Sequence, residues 1–330
     1  MNNKSRWAVW AAGLAFVIFY PHLFGAYYTN MIVGIAIFAL YASSFNLLLG
    51  YTGLLSFGHA MYFGTGAYGT ALALTHIDGL PLIPAIMIGL FAAIILATCL
   101  APIVVRVSGA AFAMVHLAFG QLMFVMALKL RHITGGEDGI GGFPIPPLSI
   151  PGVFSLDMKD STLFFYFAMA VIIGSLCLIR FLIKTPFGQV IVGIRDNSNR
   201  INYAGFRVPH SKAFMYVISG AFAGIAGSVY VLFQNLVAAY DAYHIMIHFM
   251  PVMMVMVGGV GTFIGPVLGA AVFGLLEEVV TYYTHNVGVV YGVILIFVII
   301  YMPLGLAGFI NMLKLRIAAI RMKSADKSRA

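Results

Sequence analysis

Residues 82–106 read LIPAIMIGLFAAIILATCLAPIVVR: twenty-four positions without a charge, closed by Arg106. A bilayer core needs about 20 consecutive apolar residues per helical crossing, so this run is long enough to span and carries a basic flank. Working outward, comparable runs occupy 7–24, 28–49, 54–74, 108–128, 161–183, 212–236, 245–259, 263–284 and 288–310. With 82–105 they predict ten crossings and place both termini on one side. Threading the chain this way puts 15 of its 18 Lys and Arg on the side of the N-terminus. Only Lys129, Arg131 and Lys159 fall on the other. That bias is the one cytoplasmic flanks carry, so both termini are expected to be cytoplasmic. The fold class expected is all-α: a polytopic helical bundle forming a single domain over 1–330.

Composition agrees. The chain is 62% hydrophobic and 8% charged, with a mean hydropathy of +1.01, far from soluble globular norms. The formal charge of +8 is explained by basic loops facing anionic lipid, and no aromatic–basic module points to nucleic acid. Cys99 and Cys177 fall inside apolar runs, which suggests packing rather than a disulfide. The first run follows Lys4 and Arg6 as a signal peptide would, but its length and the lack of a small-x-small cleavage site make it an anchor helix.

Three segments are polar enough to lie outside the bilayer. The outer loop 129–160 contains Thr134-Gly-Gly-Glu137-Asp138-Gly139 and four prolines, a turn-forming composition. Glu137 and Asp138 could meet a soluble binding protein or simply face water. The cytoplasmic loop 184–211 is the most charged internal segment, and 311–330 is a basic tail. A phosphate-binding Gly-x4-Gly-Lys-Ser/Thr is absent, so any ATP hydrolysis would belong to a partner.

Two Gly-rich segments occupy similar places in the two halves: Gly50-Tyr-Thr-Gly53-Leu54-Leu-Ser56-Phe-Gly58-His59, and Gly258-Gly259-Val-Gly261-Thr-Phe-Ile-Gly265-Pro266. Paired interruptions of this kind mark broken helices around a transport site, although small residues also serve close helix packing. Asn46, Ser56 and His59 cluster at the first. Polar groups at membrane depth are costly; here they could meet a passing zwitterion, or Ser56 could bond its own helix and His59 pack as a neutral ring. In 184–211, Phe187, Ile191, Ile194, Ile201 and Phe206 give an amphipathic pattern broken by polar Asp196–Arg200. Such a helix suits a groove on a partner or a lipid surface.

These stretches resemble the second type of permease subunit in bacterial ABC importers of branched-chain amino acids. The matching residues are Asn46–Ala60, Gly64–Tyr68, Thr134–Gly139, Thr185–Gly188 through Val192 to Arg195–Asn197, Ser219–Gly227 and Gly258–Pro266, in the family's order. Leu54 stands where many members carry Gln, and Ser198–Gly205 is less acidic than in many relatives. The resemblance implies a multi-pass protein of the bacterial inner membrane, paired with a second homologous permease. Two ATP-binding subunits and a periplasmic substrate-binding protein would complete the importer. This chain would bind lipid but no cofactor or metal, perform no bond chemistry, and leave ATP to its partners. The solute path would run by Asn46, Gly50, Gly53, Ser56, Gly58, His59, Gly258, Gly259, Gly261 and Gly265. The segment 186–207 would be a coupling helix fitting an ATPase groove through Phe187, Gly188, Ile194, Arg195 and Asp196, with Gly205 matching the glycine of the importer coupling motif. The same architecture also carries urea, short amides and small carboxylates.

Other polar residues read as structural. His116 and Gln121 are packing groups on one helix. His244 and His248 are four apart but lack a third metal ligand, and read as an interfacial pair. Glu277 and Glu278 lie late in their run and would snorkel toward the outer interface or meet a cation. A self-sufficient, ion-coupled transporter is the reading from another class; it would need a buried acidic set that is thin here.

Overall fold

The computed structural model of the chain describes residues 19–150, 154–283, 287–302, 305–309 and 312. Helix α1 (Ala26–Asn46) continues into a π-helical turn, Leu47–Thr52, and α2 (Ala60–His76) follows after an irregular link. Next come α3 (Leu82–Val104) and α4 (Ala110–Lys129), then α5 (Ser161–Lys184). The surface helix α6 (Pro186–Tyr203) leads into α7 (Val208–Gln234). The short α8 (Ala239–Tyr243) abuts α9 (Ile245–Gly258), and α10 (Gly265–Tyr283) and α11 (Val287–Tyr301) complete the described helices.

Among the described residues, seven helical segments are long and apolar enough to cross a bilayer: α1 with its π turn, α3, α4, α5, α7, α8 with α9, and α10. The expected ten are therefore corrected. Most of 7–24 lies outside the described residues. The run 54–74 loses its first third because the backbone stays irregular up to His59, leaving α2 with 17 residues. The last run forms a helix of only 15 residues.

The centre of the bundle is α2, packed against α3 and α7. The approach is close because glycines line it. A Cβ on Gly227 would strike the Phe63 carbonyl, one on Gly66 the Gly224 backbone, and one on Gly89 the Gly66 carbonyl and Ser228. Lipid supplies no hydrophobic drive between helices, so contact at backbone distance is what holds such a triplet. Helix α10 packs on α1 and α9. Cys99 and Cys177 are free thiols on exposed positions of α3 and α5.

The loop 129–160 is tethered rather than loose. Thr134 Oγ1 donates to the carbonyls of Ala127 (2.5 Å) and Leu130 (2.9 Å). Strand β1 (Ile140–Gly141) pairs antiparallel with β4 (Leu236–Val237), just after α7, and β2 (Leu148–Ile150) pairs with β3 (Phe154–Leu156).

Candidate functional site

Among the described residues, the main irregularity within an apolar stretch begins where α1 ends. The π turn closes with Gly53 in the left-handed region (φ 75°) and Leu54 N–H donating to the Leu48 carbonyl at 2.9 Å. That closure, from residue 54 back to residue 48, needs a residue free of a Cβ penalty at Gly53. Helix α2 starts only at Ala60. Non-helical backbone is tolerated at this depth where protein or a cavity covers it, and here Ser56, Gly58 and His59 are all buried.

Around this break three imidazoles from three elements enter the core: His59, His116 on α4 and His248 on α9, each with no exposed surface. Their bonding fixes their tautomers. Ser44 Oγ donates to the Tyr41 carbonyl at 2.6 Å, so at 2.9 Å the His59 Nε2–H donates to Ser44 Oγ. His116 Nδ1 lies 3.2 Å from the Phe112 carbonyl and must donate to it, leaving Nε2 to accept from the Tyr216 hydroxyl at 2.7 Å. Tyr62 donates in turn to Tyr216. His248 Nδ1 accepts from the Ala60 amide at 3.1 Å, so its proton sits on Nε2. A neutral imidazole has one donor and one acceptor, and two of these six positions are left over. His59 Nδ1 is an unused acceptor and His248 Nε2–H an unused donor; Ser56 Oγ likewise lacks a partner among the described residues. Close packing brings these groups together: a Cβ on Gly120 would meet the His248 ring and one on Gly58 the His116 carbonyl.

The second glycine segment is a reverse turn between α9 and α10 rather than a broken helix. Gly259 (φ 123°) and Gly261 (φ 71°) turn the chain. Thr262 Oγ1 donates to the Gly259 carbonyl (2.8 Å) and accepts from the Gly265 amide (3.1 Å), fastening the start of α10. This turn lies against the π turn of α1. Asn46 spans the contact, accepting from the Gly261 amide at 3.0 Å and donating to the Thr262 carbonyl at 2.9 Å. Gly50 abuts Gly261 so closely that a Cβ there would hit the Gly261 backbone. The structure thus brings Asn46, Gly50, Gly258, Gly259, Gly261 and Gly265 to one end of the bundle, and Ser56, Gly58 and His59 to a second cluster among the imidazoles. Gly53 lies at the joint, exposed.

Helix α6 covers that same end. Thr185 caps it, accepting from the Gly188 amide at 3.3 Å, with Pro186 at its first turn. Asn197 departs from helical geometry and its Oδ1 accepts from the Arg200 amide at 3.0 Å, so the helix kinks within the predicted polar interruption. Its apolar side is used by the bundle itself. Gly188, Ile191 and Ile194 are buried, and Phe187 meets Phe214 of α7 edge-on at 5.2 Å. Gly188 and Ile194 are therefore packed against the rest of the chain. Arg195 is exposed yet sends its guanidinium to the Gly50 carbonyl, and Asp196, Tyr203 and Gly205 are exposed, with Gly205 at φ 91°.

Sequence reasoning took His116 as a packing group and His248 as half of an interfacial pair, and did not single out Tyr216. The signal present in the sequence was three histidines and a tyrosine within apolar runs, each needing a partner at that depth. His244 and His248 are not an interfacial pair: His244 caps α9, while His248 is buried in the cluster. Glu277 and Glu278 are exposed on α10 and border a cavity of about 360 Å³ between α1, the end of α7, α9 and α10, with Asn30, Phe38 and Gln234.

Residues 27–301 match the family model described as branched-chain amino acid transport system / permease component. The chain is 26% identical over 288 residues to the high-affinity branched-chain amino acid transport system permease protein LivM of Escherichia coli K12, covering 82% of this chain and 67% of that protein. A probable branched-chain amino acid transport permease protein LivM of Methanocaldococcus jannaschii is 25% identical over 314 residues, covering 80% and 88%. The probable permease LivH of the same organism is 29% identical over 136 residues, covering 38% and 42%. No solved structure matches the chain.

Proposed function

The chain belongs to the branched-chain amino acid transport permease family, and on that premise we propose that it is one of two homologous permeases lining an ATP-driven import path in a bacterial inner membrane, with both termini cytoplasmic. Its cargo is a branched-chain or similar small hydrophobic amino acid, handed over by a periplasmic binding protein. Two ATP-binding subunits drive it, and the chain itself performs no bond chemistry. The solute passes the break at Ser56–His59, where His59 Nδ1 can accept from an ammonium group and His248 Nε2–H can donate to a carboxylate. The likeness to LivH as well as LivM supports a homologous second permease.

The observation that carries the reading is helix α6. Its apolar residues are spent inside the chain, and its outward side keeps Arg200 and Tyr203, the latter 89% exposed, at the end of the bundle where the two glycine segments meet. An exposed aromatic beside charged groups is what partner docking uses. The test is co-purification of the tagged chain from its native membrane. A second permease and ATP-binding subunits should remain bound, and Tyr203→Ala should shed the ATP-binding subunits while the permease pair survives. Recovery of the chain alone, competent for transport, would overturn the proposal.

A further inference from the structure

Arg195 is the one side chain of α6 whose charge is turned into the joint between the two glycine segments. Its Nη1 donates to the Gly50 carbonyl at 2.6 Å. Nε and Nη2 both reach Asp196 Oδ1, at 3.0 and 2.9 Å. The stem of Arg195 lies against Gly53, where an added Cβ would be 3.0 Å from Cγ, and Nη1 would lie 3.2 Å from a Cβ on Gly261. One guanidinium therefore touches both segments, which Asn46 also ties across 215 positions of sequence. The place suits a cation: the last carbonyls of a helix carry the negative end of its dipole, and Gly50 lies in the π turn that ends α1. In the turn between α9 and α10, Phe263 carries the Arg180 guanidinium of α5 over its ring at 5.4 Å.

Asn46 holds the two glycine segments to each other, whereas α6 packs against the π turn and adds one hydrogen bond to it, from Arg195, whose side chain is still 37% exposed. Gly50 and Gly261 meet at backbone distance beside the Asn46 side chain, so movement of α6 acts on backbone through the Gly50 carbonyl. Helix α6 follows α5 directly after Thr185, with Gly188 against the Leu182 and Ile183 carbonyls.

We propose that Arg195 is a positioning residue that transmits movement of α6 to the solute path: docked at Gly50 it keeps the two glycine segments closed, and its withdrawal with α6 lets them part below the Ser56–His59 break. This rests on the import reading, and it reassigns Arg195 from partner contact to internal latch, with Asp196 orienting its fork. Lys could replace one donor but not the planar fork that serves Gly50 and Asp196 together.

The test uses the complete complex in proteoliposomes, measuring amino acid imported and ATP hydrolysed in the same vesicles. For Arg195→Gln the ATP-binding subunits should stay bound and hydrolysis continue, while solute moved per ATP falls about tenfold, the scale of an ordinary coupling energy. Arg195→Lys should recover part of that ratio. Hydrogen exchange supplies a reading that folding alone would not change: in the wild type, amides of 47–57 and 257–265 should exchange faster on ATP binding, and in Arg195→Gln that response should vanish. A variant with the wild-type ratio, or an unchanged nucleotide response, overturns the latch. Loss of the ATP-binding subunits from Arg195→Gln returns the residue to the docking surface and also overturns it. Failure of the wild-type chain to bind ATP-binding subunits sinks the import reading itself, an outcome distinguishable from both.

Discussion

Tyr216 joins three buried groups in one line: it accepts from Tyr62 and donates to His116, whose other nitrogen is committed to the Phe112 carbonyl. Removing the hydroxyl strands the Tyr62 donor and the His116 acceptor together. Tyr216→Phe should destabilise the protein by about 1–3 kcal/mol, the cost of leaving buried polar groups unpaired, read as a lower unfolding temperature in detergent. Tyr216→Phe combined with Tyr62→Phe should recover part of it, because one stranded partner goes too; equal or additive losses would mean that the line does not act as a unit. Asn46 is the corresponding residue at the joint. Asn46→Ala deletes both bonds to the α9–α10 turn, whereas Asn46→Asp keeps the acceptor for Gly261 but sets a second oxygen against the Thr262 carbonyl in a buried site. Both variants should unfold at a lower temperature than the wild type in the same measurement.

At the scale of elements, the packing of α2 against α3 and α7 depends on missing side chains. Gly227→Leu would drive a branched side chain into the Phe63 backbone. A carbonyl cannot yield as a flexible side chain can, so that variant should fail to accumulate as folded protein. Gly174, in α5 with open space around it, is the control: Gly174→Ala should be neutral or stabilising by up to about 1 kcal/mol, the helix-propensity difference. Expression and unfolding profiles compared side by side check both. The helices themselves were legible in the sequence because apolar runs of spanning length say little else. What the runs could not show was where backbone leaves the helix inside an apolar stretch. The irregular link before Ala60 shortens α2 without any change in hydrophobicity. The amphipathic pattern of α6 was visible too, and even its interruption near Asp196–Arg200. Which object its apolar side faces was not, since lipid, partner and bundle all reward the same pattern. Asn46, Ser56 and His59 stood out as polar residues beside glycines. His116 and His248 did not, because their meaning lies in meeting across helices that sequence order keeps far apart.

For the whole molecule, topology is the property on which every functional statement depends. The charge bias predicts that α6 and the glycine joint face the cytoplasm, and that the tethered loop between α4 and α5 faces outward. With Cys99 and Cys177 replaced by Ser, a membrane-impermeant maleimide applied to intact spheroplasts should label Lys159→Cys and spare Ser198→Cys, which should react only after permeabilisation. The reverse pattern would invert the bundle and remove α6 from any ATP-binding subunit. The measurement that bears most directly on the central claim is uptake of labelled L-leucine into proteoliposomes holding this chain with its co-purifying subunits, supplied with binding protein outside and ATP inside. The account predicts accumulation that requires ATP and ceases when the ATP-binding subunits are left out. Accumulation by this chain alone, driven by an ion gradient and indifferent to ATP, would contradict it.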